Sequence, residues 1–101
     1  MGIEATRAQH QSLLKELQEE RAAALARISR RLERLIGQLE ATRAQIAESR
    51  DEDRARAVAA YRELHKQATR YRWYLEVQRE AIGLRHHQRL DEFYRIPPAD
   101  P

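Results

Sequence analysis

Two stripes of apolar residues organise the chain. In the first, Leu25, Ile28, Leu32, Leu35 and Leu39 recur at alternating steps of three and four, followed in phase by Thr42 and Ile46. Such steps place every member on one side of an α-helix, as in the a and d positions of a coiled coil. From Glu4 to about Ala47 there is no Pro and a single Gly, and the segment is rich in the strong helix formers Ala, Leu, Glu, Gln and Arg. The single Gly, Gly37, lies off the stripe, and its cost of about 1 kcal/mol against Ala does not end so long a helix. Upstream, Leu14 and Leu17 fall slightly out of phase, in the manner of a stutter.

The second stripe is Ala57, Tyr61, Leu64, Ala68, Tyr71, Leu75, Gln78 and Ile82, again at steps of four and three. It ends at Gly83 followed by Leu84, a Gly-plus-apolar pair that signals a helix C-terminus. Pro97 and Pro98 exclude helix beyond it. Between the stripes, Ser49 stands three residues before Glu52, the spacing of a capping box, and Asp51, Glu52 and Asp53 suit the positive end of a helix. A second helix is therefore expected from about Arg50. No Gly or Pro enforces a break here, so one continuous helix is the competing reading.

Register separates the two. In an antiparallel hairpin turning near residue 50, facing positions have numbers that add to a constant. The pairs Thr42–Ala57, Leu39–Tyr61, Leu35–Leu64, Leu32–Ala68, Ile28–Tyr71 and Leu25–Leu75 all add to 99 or 100. The next layer sets Arg21 opposite Gln78, polar against polar, which spares each an apolar partner. The expected fold is all-α: a long antiparallel, coiled-coil-like hairpin forming a single domain over residues 1–101. Its helices cover about 4–47 and 50–83, and residues 84–101 form a short C-terminal return segment. A hairpin buries only one stripe per helix, which is little core for its length. Leu13, Leu17, Ile36, Trp73, Tyr74 and Val77 lie off the seam and are the candidate interface residues. Leu84, Leu90, Phe93, Tyr94 and Ile96 equip the return segment to cover part of this surface. A second chain completing a helical bundle by dimerisation would cover the same kind of surface.

Composition narrows the function classes. With no Cys there is no disulfide framework, thiolate metal site or Cys nucleophile. No apolar run is long enough to span a membrane, and no secretory signal is recognised, so a cytoplasmic setting is expected. Met1, Gly2 and Thr6 fit a short N-myristoylation pattern, but no polybasic run follows, and it is set aside. The four histidines, His10, His65, His86 and His87, lack a Glu three residues earlier: Arg62 precedes His65 and Gly83 precedes His86. They are expected to be solvated and not metal ligands. Glu16, Glu19 and Glu20 fall level with Glu76 and Glu80, yet a two-helix surface supplies no desolvated cleft to tune them, and Arg21 and Arg79 stand beside them. There is no Gly-rich phosphate loop and no Ser in a nucleophile motif. No catalytic, cofactor-binding or metal residues are assigned, and no enzyme is expected.

The net charge is +3, and all but two of the 19 cations are Arg. Arg27, Arg30, Arg31 and Arg34 fall level with Lys66, Arg70 and Arg72 in the hairpin register, forming a band with few acids beside it. Such a band attracts anions, and Tyr71, Trp73 and Tyr74 lie near enough to stack on bases. Alternatively, the acidic level at Glu16 to Glu20 can serve as its partner on a second copy, axially staggered or antiparallel. The leading reading is a self-associating protein–protein interaction or scaffold module, a homodimer, with another protein as a further partner class. The reading that comes second is a nucleic-acid-binding protein using the Arg band.

Overall fold

Helix α1 runs unbroken from Ile3 to Glu48, α2 from Asp51 to Ala81, and a short α3 from Gln88 to Phe93. This is the computed structural model of the chain, and it describes residues 2–101. The molecule measures 75 × 23 × 14 Å, close to the length of α1 alone, whose 46 residues span about 69 Å at 1.5 Å each. The helices pack as an antiparallel hairpin, and the continuous helix is excluded.

The seam is the one the two stripes predict. Leu32, Leu35, Leu39 and Ile46 of α1 are buried against Ala57, Tyr61, Ala68 and Leu75 of α2. Leu25, Ile28, Leu64 and Tyr71 complete the same layers and are half-buried. A hydrogen bond from Arg31 to Gln67 across the two helices agrees with this register. Above Leu25 the pairing runs out. Arg21 is exposed and makes no hydrogen bond to Gln78; it flanks a shallow hollow with Leu25 and Ile82. In this register the end of α2 at Ala81 falls level with residues 18 and 19. The first 15 residues of α1, Ile3 to Leu17, therefore project about 22 Å beyond α2. Every residue from Gly2 to Ala23 is exposed.

The turn differs from the expected capping box. The Ser49 hydroxyl donates backward to the Gln45 carbonyl at 2.6 Å, and the Ser49 N–H bonds to Ile46. Ser49 thus closes α1, while α2 begins after Arg50 with no side-chain cap. The reason is the brevity of the connection: Ser49 and Arg50 alone link the helices, and the carbonyls ending α1 are the nearest partners of the hydroxyl. Reversal within two residues also places Asp51 at φ 54°, a left-handed conformation that Asp tolerates better than most residues.

The end of α2 follows expectation. Gly83 sits at φ 91°, its N–H bonds to Glu80, and the Leu84 N–H reaches back to Arg79 at 2.9 Å. This is a Schellman motif. It turns the chain back, so that residues 84–98 run beside α2 toward the hairpin turn, with α3 as their one helical stretch. Leu90 is buried in the same core, and Tyr94 and Ile96 pack against it. The return segment therefore packs within its own chain.

Candidate functional site

In an antiparallel hairpin each seam is bordered by two flanks, and here the two are unlike. The flank carrying Ser29 and Ile36 of α1 and His65, Arg72 and Arg79 of α2 is closed by the return segment. Arg79 donates to the His86 carbonyl at 2.9 Å, and Arg72 donates to Glu76 at 2.7 Å and to Asp91 at 2.8 Å. His65 meets the Pro97 carbonyl at 3.0 Å, and the Tyr61 hydroxyl donates to the Pro98 carbonyl. The proline carbonyls accept while their nitrogens, which carry no hydrogen, demand no partner, so two prolines suit this end of the strap, held by the Tyr61 and His65 side chains.

The opposite flank has no such cover, and it is the candidate site. Arg31 is half-buried here, bonded to Gln67 and lying over the Tyr71 ring at 5.9 Å. Tyr71 meets Tyr74 edge-on at 5.4 Å, and Tyr74 meets Trp73 at 5.6 Å. This chain of rings ends in solvent: Trp73 is 57% exposed, with Tyr74 and Val77 exposed beside it. Farther along the same side, the projecting part of α1 presents Leu13 and Leu17 to solvent.

The candidate interface residues therefore divide. Leu13, Leu17, Trp73, Tyr74 and Val77 are exposed, whereas Ile36 is half-buried and packed against the core beneath the return segment. The candidate polyanion residues divide too. Arg27, Arg30, Arg34, Lys66 and Arg70 are exposed and make no salt bridge among the described residues. Arg72 leaves the band: its side chain is 13% exposed and is held between two carboxylates. Its partner Asp91 lies 19 residues away, across a segment without periodicity, so no spacing in the sequence pairs the two.

Two histidines are less solvated than expected. His65 is half-buried against Pro97, and His87 is half-buried with Nε2 3.0 Å from Glu80. The only signal available for these anchors was the two prolines, which marked the end of helix but not the path of the chain. The carboxylates do not converge either: Glu76 is bound to Arg72 and Glu80 to His87, while Glu16, Glu19 and Glu20 stand exposed. Among the described residues no group of three or more His, Asp or Glu is placed to hold a metal ion, and no helix is long and apolar enough to cross a membrane. Thr6 donates to the Gly2 carbonyl at 3.0 Å; Met1 of the N-terminal pattern lies outside the described residues.

Comparison of the chain with protein-family models, with curated proteins and with solved structures finds no match.

Proposed function

We propose that this chain is a non-catalytic helical interaction module that associates with a second copy of itself in the cytoplasm. One observation carries the reading: the return segment closes one flank of the hairpin and leaves the other with Trp73, Tyr74 and Val77 in solvent. Aromatic and aliphatic groups gathered on one exposed surface are characteristic of interaction sites. The proposal assigns no reaction, cofactor or metal. Sedimentation equilibrium tests it. The protein is expected to dimerise, and Val77→Asp is expected to yield monomers of unchanged helicity by circular dichroism. A protein that stays monomeric across its soluble range overturns the reading.

A second reading, nucleic-acid binding, is favoured by the exposure of Arg27, Arg30, Arg34, Lys66 and Arg70 without salt-bridge partners among the described residues. Binding of this kind weakens steeply with salt, because each neutralised phosphate releases counterions. Changing Arg27, Arg31 and Arg34 together to Gln should flatten that salt slope by up to about three units on duplex DNA. Sub-micromolar, salt-sensitive binding that this change abolishes would replace the first reading with the second.

A further inference from the structure

Charge along the open flank of α1 is ordered. Leu13, Leu17, Glu20, Ala24, Arg27 and Arg31 follow one another at steps of four and three, so they share one strip of the helix. Glu16 borders the acidic end of that strip. The sequence of properties is apolar, acidic, small, basic. Reversed end for end, the acidic part falls on the basic part. Glu20 with Arg27 and Glu16 with Arg31 are pairs whose numbers each add to 47. A two-fold axis crossing α1 between Ala23 and Ala24 would place each residue beside the one that completes that sum in a second copy, because a two-fold interface pairs i with j and j with i.

The exposed apolar group of α2 has the same centre. Leu25 and Leu75 line one hollow at the seam, which fixes the level of the two helices there. In that register Tyr74 lies level with residues 25 and 26 of α1, and Val77 with 22 and 23. The aromatic patch thus straddles the point about which the charges reverse. Charge order on one helix and apolar exposure on the other are separate features of the sequence, and they share a centre.

We infer that, granted the self-association proposed above, the second copy lies antiparallel across the open flank, with its two-fold axis between Ala23 and Ala24. Glu20 and Glu16 of each copy face Arg27 and Arg31 of the other, and Tyr74 and Val77 of both copies gather around the axis. The projecting part of each α1, which has no partner in its own hairpin, lies along residues 30–44 of the other copy's α1. Small Ala24 at the crossing permits close approach of the helix axes. The parallel arrangement is disfavoured by the same charges. It keeps every level where it is, stacks α1 on the other copy's α2, and brings Arg30 and Arg34 level with Arg70 and Lys66. Antiparallel order sets Arg27 and Arg31 of the basic band against the acidic level instead, which fixes register and orientation.

Charge exchange tests the arrangement. Glu16→Arg with Glu20→Arg, or Arg27→Glu with Arg31→Glu, places like charges together in a homodimer and should weaken dimerisation by about tenfold or more in sedimentation velocity at low salt. An equimolar mixture of the two proteins should regain a heterodimer as tight as the original, since every pair is then opposite again. A second measurement does not depend on those variants folding. The chain has no Cys, so Ala24→Cys should give a disulfide-linked dimer on mild oxidation. Ser49→Cys should not, because its two copies would lie about 75 Å apart. Dimers that persist in both charge-exchanged proteins, or cross-link through Ser49→Cys and not Ala24→Cys, overturn the antiparallel register and leave self-association standing. An unmodified protein that never dimerises overturns both.

Discussion

On α2, Arg72 and Val77 lie five residues apart and have exchanged the surroundings their chemistry would suggest. The arginine side chain is 13% exposed, whereas the valine is 39% exposed. The difference is set by which flank each occupies. Arg72 lies where the return segment passes and finds Glu76 and Asp91 there; Val77 lies on the side that the segment never reaches. In a two-helix hairpin only the seam is buried by periodicity alone. Burial outside it depends on what else arrives, and here residues 84–98 arrive on one side only. Substitutions that probe the seam, the covered flank and the open flank in turn should give a descending series of stability effects.

The seam sets the upper end. Leu35 is fully buried among the layers joining the two helices, and Leu35→Ala should destabilise by about 2–5 kcal/mol, the range for buried leucine truncations. Leu32→Ala belongs with it. Ile36→Ala, one residue along but only half-buried, should cost distinctly less. Thermal melts in which Ile36→Ala is the more damaging would shift the seam by one helix position.

The covered flank comes next. Leu90 is the one buried residue of α3, and it ties the return segment to the seam. Leu90→Ala should cost about 2 kcal/mol or more and should release residues 84–101 before the hairpin itself melts. Limited proteolysis checks this: new cleavage after Arg85, Arg89 or Arg95 should appear while the far-ultraviolet helix signal persists. Smaller still is Tyr61→Phe, which removes the hydroxyl donated to Pro98 and keeps the buried ring. It should cost about 1 kcal/mol, the net worth of one hydrogen bond. Hydrogen exchange should show the loss concentrated at the Tyr94 to Ile96 amides and not along α1.

The seam was legible in the residues because a hairpin repeats one rule along its length. Leu25 to Ile46 and Ala57 to Leu75 state the helix period and, through their constant sum, the register. Gly83 followed by Leu84 was equally legible, since a Schellman turn is local. The turn at Ser49 was not. Its hydroxyl had a partner available on either side, and a spacing of three to Glu52 carries no information about how few residues separate the helices. The anchoring of the return segment was not legible either. Tyr61 reads as seam and His65 as solvated, and only the route of the chain past Pro97 and Pro98 gives them carbonyl partners. For the candidate site, Trp73, Tyr74 and Val77 stood out by lying off the stripe. Ile36 had the same signature. An off-stripe position reveals that a residue borders the seam, but the flank it borders decides whether the return segment covers it.

The open flank should lie at the bottom of the stability series and at the top of a different one. Val77 is exposed and its truncation removes little packing within the chain, so Val77→Ala should change monomer stability by no more than about 0.5 kcal/mol. That value has to be measured at a concentration where the protein is monomeric, because a partner that binds only the folded chain adds its own binding free energy to the apparent stability. At high concentration the same substitution should lower the melting temperature relative to the unmodified protein, since the lost contact is then with the second copy. Leu90→Ala should behave oppositely, with nearly the same loss at both concentrations, since its contacts lie within the chain. The two flanks thus predict two concentration dependences from two aliphatic truncations on one hairpin. Equal and concentration-independent losses at Val77 and Leu90 would mean that the open flank is an ordinary solvated surface.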